Sequence, residues 1–254
     1  MSLSPRPRRR GFPRAIAARA SSARSQFERF AFAWAYLACF AVTDLVFVLL
    51  SPHAQAALTA WASTNVANLE HEPVGPLVLS ALIAPGYFGL WPVLIALAVF
   101  GANRALGNGR TALVCVAGHV IGSLVSEGIV AYRVNAGQLP AADRHLTDVG
   151  PSYVVVSAIV IAVICGTWLA RALAVLDFAI LVFGGQIFSG LSHLDVAAVG
   201  HLTAMLTAAA AIALMLSRRR WPRWPRWPRS GRVTDEDADQ VGDPGGAGAE
   251  YQLP

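Results

Sequence analysis

The sequence contains no lysine, few charged residues of either sign and no paired cysteine motif. Only 14% of its 254 residues are charged and 55% are hydrophobic, with a mean hydropathy of +0.51. An ordinary soluble domain needs more polar surface than this balance supplies, so the composition favours an integral membrane protein. Cys39, Cys115 and Cys165 lie in apolar runs without CxxC spacing. They predict neither a disulfide framework nor a metal site.

The sequence also lacks a glycine-rich phosphate loop, a cluster of metal ligands and any nucleic-acid-binding motif. We therefore expect no cofactor, no metal and no nucleic-acid partner. The net charge of +5 comes from arginines beside apolar segments, where basic residues orient a chain in the bilayer and contact anionic lipid. Membrane lipids are the partners that this pattern predicts, and it does not predict an oligomeric state.

Six apolar segments approach the length of about 20 residues that a bilayer core requires. They cover residues 31–50, 87–100, 111–132, 151–170, 172–189 and 195–216. An apolar piece over 76–84 precedes the second segment, and Pro85-Gly86 between them predicts a re-entrant or interfacial break. We therefore predict an all-α membrane protein built as a six-helix bundle.

Arginine is distributed unevenly between the two sides of this predicted bundle. Two arginines, Arg133 and Arg144, fall on one side. The other eighteen lie in the 1–30 arm, the 101–110 turn, at Arg171 and in the 218–232 tail. Because basic residues accumulate in cytoplasmic segments, we expect both termini in the cytoplasm. The alanine-rich, lysine-free composition is typical of a bacterial protein, which predicts a multi-pass protein of the bacterial inner membrane.

The predicted membrane domain, residues 31–217, is flanked by polar segments of different character. Residues 1–30 carry eight arginines and one acid, which predicts a basic cytoplasmic arm. Over 218–233, Trp-Pro-Arg occurs three times in succession, a composition typical of a segment at the membrane interface. Residues 234–254 are acidic and glycine-rich, which predicts disorder.

Two polar residues lie at similar depth in the fourth and sixth apolar segments. Ser152 follows Gly150-Pro151, where proline is well placed in the first turn of a helix. His201 lies less than two turns into the sixth segment. A hydroxyl and an imidazole at matched depth in neighbouring helices can form a nucleophile and its base. Taken alone, Ser152 is typical of a helix cap, whereas an intramembrane histidine is itself a functional hypothesis.

A polar stripe runs along the third apolar segment. His119, Ser123 and Glu127 are spaced four residues apart, which puts them on one helical face. Such a line of protonatable groups could serve a small transporter. It could equally lock the third helix against its neighbours through interhelical hydrogen bonds. We favour the packing role and keep transport as an alternative.

Several motifs resemble those of the rhomboid intramembrane serine proteases, in the same order along roughly residues 31–216. Gly150-Pro151-Ser152-Tyr153 resembles the Gly-x-Ser-Gly motif of that family. The stretch from Gly200-His201 to Ala208 resembles its Ala-His-x-x-Gly-x-x-x-Gly motif. Leu79-Ser80-Ala81-Leu82 and the glycine-rich turn over 106–110 are similar to its second span and following turn.

The resemblance implies an activity and a role for each matching residue. Ser152 would attack the peptide carbonyl of a transmembrane protein substrate while His201 takes the serine proton. Gly150 and the backbone N–H of Ser152 would support the oxyanion. Ala204 and Ala208 would let the sixth helix approach the fourth closely.

The sequence departs from the family at positions near these motifs. Tyr153 replaces the glycine after the serine, and Val156 stands where the family has a tyrosine that stacks on the histidine. Gly89 and Val93 stand where a histidine and an asparagine help to hold the oxyanion. We therefore predict intramembrane serine proteolysis as the leading function. The alternative is a proteolytically inactive relative that binds transmembrane segments of client proteins.

Overall fold

The structure, a computed structural model, describes residues 25–86 and 89–218 of the chain. The predicted interfacial and disordered tails, and most of the basic arm, lie outside these residues. Two compact units divide the chain at residue 217, and the helices that form the site belong to the first. Within the described ranges the fold is entirely helical, so the all-α prediction is confirmed there.

Nine α-helices follow residue 30 among the described residues, joined by short 3₁₀ and π turns. They are α1 (Ala31–Leu49), α2 (Pro52–Ala62), α3 (Val66–His71), α4 (Val74–Leu79), α5 (Leu90–Leu106), α6 (Asn108–Asn135), α7 (Ser152–Cys165), α8 (Trp168–Ala179) and α9 (Val196–Arg218). The turns are Ser80–Leu82, Ala141–His145, Ile180–Gly184 and Leu191–His193.

Three helices in the described part of the chain are long and apolar enough to cross a membrane. They are α1, α6 and the first 22 residues of α9. Helices α5 and α7 are apolar but shorter. A multi-pass membrane protein follows from this composition, while the count of six spans and the side of each terminus stay predictions.

The predicted break before the second long segment is confirmed. Helix α4 and its 3₁₀ extension end before Pro85-Gly86, and α5 begins only at Leu90. Two side chains of α1 satisfy carbonyl groups of the broken stretch. Tyr36 donates to the Ala81 carbonyl at 2.7 Å, and Thr43 donates to a carbonyl one residue later at 2.5 Å. Irregular backbone is tolerated in a membrane protein where neighbouring groups pair with it in this way.

No helix was predicted over residues 51–75, which is wrong in part, because the structure folds most of them into α2 and α3. The Ser51 hydroxyl accepts from the Ala54 N–H at 3.3 Å, and Pro52 occupies the first helical position. Asn65 caps α3 in the same manner, accepting from the Asn68 N–H at 2.9 Å. These caps satisfy orphan donors of each first turn, so short polar helices form without an apolar stripe.

The predicted boundary between the fourth and fifth segments is also wrong. Helix α7 ends at Cys165, five residues earlier than expected, and α8 begins at Trp168. The Thr167 hydroxyl caps α8 by accepting from the Ala170 N–H at 3.4 Å. Hydropathy continues smoothly through this link, so apolar composition alone could not locate the turn.

Helix α7 lies at the centre of the bundle and packs against α5, α6 and α8. Nine of its 14 residues are buried, on all sides of the helix. A helix that is apolar all round is expected to be enclosed by others. The first residue of α7 therefore lies in the middle of the bundle. Helix α9 begins at the same end of the bundle, which is here called the loop end.

Candidate functional site

Ser152 is the first residue of α7 and is partly buried at the loop end. Its hydroxyl has no hydrogen-bond partner among the described residues, so it does not act as a helix cap. A Cβ built on Gly150 would lie 3.8 Å from the Ser152 Oγ, which shows how closely that glycine approaches the hydroxyl. The first N–H groups of α7 have no partner within the helix, as at any helix start. The hydroxyl and these donors share one small region.

His201 lies in the second turn of α9 and is buried, with 4% of its surface exposed. Its Nδ1 is 3.0 Å from the carbonyl oxygen of Ile187. Because a carbonyl can only accept, this contact assigns the proton of the neutral ring to Nδ1. The other nitrogen, Nε2, then carries a lone pair, and it has no hydrogen-bond partner among the described residues.

Tyr153 lies directly against the His201 ring. Their ring centroids are 4.9 Å apart at an interplanar angle of 82°, an edge-to-face contact of the kind that orients an aromatic pair. The centroid of the Tyr153 ring is also 6.0 Å from that of the His119 ring. A Cβ at Gly200 would come within 2.0 Å of the Tyr153 oxygen, so glycine before the histidine makes room for the tyrosine.

The hydroxyl of Tyr153 is held by Asp148, which lies in the loop before α7. Tyr153 donates to the Asp148 Oδ2 at 3.1 Å, and the Thr64 hydroxyl donates to the same oxygen at 3.1 Å. Burial raises the pKa of the Asp148 carboxyl, while these two hydrogen bonds act in the opposite direction. Asp148 therefore links the loop before α3 to the residue that contacts His201.

Ser63 and Thr64, here called the 63–64 clamp, fix the chain that leads into α7. The Asp148 N–H donates to the Ser63 hydroxyl at 2.8 Å, and the Thr64 N–H donates to the Asp148 carbonyl at 3.0 Å. Two residues later, the Gly150 N–H donates to the Ser80 carbonyl at 2.8 Å. The approach to Ser152 is thus held by backbone and side-chain bonds from two other loops.

The sequence did not reveal the roles of Asp148, Tyr153 and the 63–64 clamp. The two clamp residues lie 84 and 85 positions before Asp148 in the chain, so no helical period relates them to it. The small residue Gly200 beside His201, which leaves space for a ring, was the one available signal for Tyr153.

The three residues of the polar stripe are all buried on α6. His119 Nε2 is 2.8 Å from the Leu77 carbonyl and 3.3 Å from the Ser80 hydroxyl, so it bonds the neighbouring broken segment. The Ser123 hydroxyl and both carboxyl oxygens of Glu127 have no partner among the described residues. Interhelical hydrogen bonding is therefore seen for His119 alone, which the structure brings next to Tyr153.

The remaining family positions lie around this centre. Gly89 precedes α5 with a φ of 83°, and Val93 is 53% exposed. Because one is a glycine and the other a valine, neither supplies a polar side chain. Ala204 and Ala208 are fully buried. A Cβ at Gly122 of α6 would lie 3.4 Å from the Ala204 Cβ, so Ala204 faces α6 closely. Its predicted packing against α7 stays a prediction.

The loop end thus combines an unpaired hydroxyl with an unpaired imidazole nitrogen. No hydrogen bond joins Ser152 to His201 in the described structure, although the neighbouring Tyr153 touches the histidine ring. The same residues contain no group of three or more histidine, cysteine or acidic side chains that could hold a metal ion. The chemistry available here is nucleophilic attack with base assistance, or polar recognition of a bound segment.

The family model described as rhomboid-like protein matches residues 28–221. This range contains all nine described helices and every residue of the site. No curated protein and no solved structure matches the chain.

Proposed function

The chain belongs to the rhomboid-like protein family, and from this premise we propose that it is an intramembrane serine protease. Ser152 is the nucleophile and His201 is the general base. The family resemblance inferred from the motifs is confirmed by the match over residues 28–221. Catalytic activity and the roles of these two residues are parts of the proposal, since rhomboid-like families include members without activity.

The state of the His201 ring is the observation that carries the proposal. A base must present an unprotonated nitrogen, and the bond from Nδ1 to the Ile187 carbonyl at 3.0 Å leaves Nε2 in that form. Tyr153 restrains the ring from its edge. An unpartnered Nε2 in a buried ring costs stability, which supports a functional reason for keeping it free.

The proposed reaction follows from the groups at the loop end. The Ser152 Oγ attacks a peptide carbonyl carbon while His201 Nε2 accepts the hydroxyl proton. N–H groups in the first turn of α7 donate to the oxygen that becomes negative. The protonated His201 then gives its proton to the leaving amine nitrogen, the peptide C–N bond breaks, and water later hydrolyses the acyl-serine ester.

The environment defines the proposed substrate class. The long apolar helices imply a lipid environment for the protein, so the proposed substrate is a membrane protein with a transmembrane segment that presents a peptide bond near the loop end. In the proposed topology the loop end faces outward from a bacterial inner membrane, with both termini in the cytoplasm. This orientation follows from the arginine distribution alone.

A second candidate function is binding of client transmembrane segments without cleavage. Two observations favour it: the described structure contains no Ser152–His201 hydrogen bond, and Gly89 and Val93 offer no side-chain donor to an oxyanion. Losing one such donor typically costs about 10²–10³ in rate. In this alternative, the polar groups of the loop end recognise a client helix and no bond is broken.

Labelling with a fluorophosphonate probe separates the two functions. We expect the purified protein to be labelled at Ser152, with loss of labelling in Ser152→Ala and a fall of about 10²–10⁴ in His201→Ala. Ser189→Ala is the matched control, because Ser189 is an exposed serine in the loop before α9; it should be labelled like the wild type. Folded wild-type protein that resists the probe would contradict the protease and favour the client binder.

A further inference from the structure

A groove of about 780 Å³ opens at the other end of the bundle, here called the turn end, where α5 ends and α8 begins. Helix α1 and the residue before it contribute Phe30 and Trp34, α5 contributes Leu97 and Arg104, and α8 contributes Trp168. The groove is separate from the loop end, and none of its lining residues belongs to the site around Ser152.

The shape of the groove suits a chain of methylene groups. Its wall on α1 runs from Phe30 to Leu37, which corresponds to roughly 10 Å at the rise of an α-helix. Its floor lies on α5, where the small residue Gly101 lets α8 approach closely. A Cβ at Gly101 would lie 3.5 Å from the Ala170 Cβ. The groove is therefore an apolar channel between α1 and α8 with α5 beneath it.

Arg104 provides the one charged side chain of the groove. It is exposed in the last turn of α5, and it forms no hydrogen bond or ion pair in the described part of the chain. An unpaired guanidinium beside an apolar channel matches a phosphate group in charge and geometry. The exposed Trp34 and Trp168, 43% and 79% accessible, flank the channel as tryptophans do at headgroup level.

We infer that the groove is a binding site for one anionic membrane phospholipid. An acyl chain lies in the channel between α1 and α8, and the phosphate group contacts Arg104. An uncharged apolar helix would leave Arg104 without a counter-charge, whereas an anionic phospholipid satisfies both the apolar wall and the cation. This inference does not rest on catalysis at Ser152.

Native mass spectrometry of the full-length protein in detergent tests the site. We expect the wild type to retain one phosphatidylglycerol and to prefer it over phosphatidylcholine. Arg104→Gln should weaken phosphatidylglycerol binding about five-fold, the expected contribution of one basic residue near lipid phosphate, and Arg104→Lys should keep most of it. Arg110→Gln is the matched control, since Arg110 is exposed at the same end but outside the groove.

A second readout locates the acyl chain. Phosphatidylglycerol with brominated acyl chains should quench the tryptophan fluorescence of Trp34→Phe and Trp168→Phe less than that of the wild type. Trp61→Phe is the control, because Trp61 lies outside the groove. Equal losses of binding in Arg104→Gln and Arg110→Gln would overturn the inference and indicate general surface attraction. Quenching that is unchanged by Trp34→Phe and Trp168→Phe would overturn it too.

Discussion

The two ends of α7 are built by different physical means. At the loop end, the helix start is fixed by polar contacts, since Asp148 accepts from both Tyr153 and Thr64. At the turn end, the position where the helix ends is determined by steric packing around Gly166. A Cβ at Gly166 would lie 2.3 Å from the Ala162 carbonyl oxygen and 3.1 Å from the Ala170 Cβ, so close packing leaves no room for a side chain.

Within this one helix, the turn end therefore contributes mainly to stability, and the loop end carries the groups that could react. The turn end gains from tight packing of small groups. The loop end keeps the partly buried Ser152 hydroxyl without a partner. It also keeps the buried His201 Nε2 unpaired, which costs stability and is typical of functional sites. A change at the turn end should therefore alter folding first, and a change at the loop end should alter chemistry or its pH dependence.

Gly166→Ala tests the packing at the turn end and should have the largest effect on stability. We expect the free energy of unfolding to fall by about 1–3 kcal/mol. The cost is steric, because the φ of −78° at Gly166 suits any residue while its Cβ meets backbone. Thermal or denaturant unfolding in detergent measures it. Gly109→Ala is the control, since a Cβ there meets nothing within 4 Å.

The folded fraction of Gly166→Ala should still react normally with the fluorophosphonate probe. Helix α7 has 14 residues, so its two ends lie roughly 20 Å apart. A Gly166→Ala protein as stable as wild type would show that the turn end is not fixed by shape. Loss of labelling in the folded fraction would show that the two ends are coupled.

The sequence was sufficient for the features that depend on composition and local signals. The apolar runs predicted α1 and α9 to within two residues, and Pro85-Gly86 predicted the break before α5. The ordered motifs predicted the family that the match over 28–221 then established. Each of these signals lies within a short stretch of chain.

The sequence was not sufficient where a few hydrogen bonds or long-range contacts decide the structure. Thr167 caps α8 inside an uninterrupted apolar run, and Ser51 and Asn65 cap α2 and α3 in a stretch that is polar. The Tyr153 ring reached His201 through space left by Gly200, 47 positions along the chain from the tyrosine. Periodicity carries no information about such contacts.

Tyr153→Phe tests the polar contacts of the loop end and should change stability less than Gly166→Ala does. It keeps the ring against His201 and removes the hydrogen bond to Asp148, so the free energy of unfolding should fall by about 1 kcal/mol. Labelling should be nearly unchanged, whereas Tyr153→Leu, which also removes the ring, should lower it. Tyr132→Phe, at a 69% exposed tyrosine of α6, is the control for stability. Equal stability of Tyr153→Phe and wild type would mean that the Asp148 contact does not hold the loop end.

The smallest effect is expected in the pH dependence of stability. Because burial raises the pKa of Asp148, the folded state holds the proton to higher pH than the unfolded chain. The unfolded carboxyl titrates near its ordinary value of about 4. Stability contributed by the bound proton is therefore present below that value and lost as pH rises through the raised pKa. The hydrogen bonds from Tyr153 and Thr64 oppose burial, which keeps the change small.

Unfolding of wild type and Asp148→Asn compared across pH 4–8 tests the contribution of this carboxyl. Asparagine keeps an oxygen that can accept from Tyr153 and Thr64, and it cannot titrate. The difference in unfolding free energy between the two proteins should shift in favour of Asp148→Asn as pH rises. A difference that moves in favour of the wild type would mean that the two hydrogen bonds outweigh burial. The loop end would then stabilise a charged carboxylate, and the polar contacts there would favour folding more at neutral pH than at acidic pH.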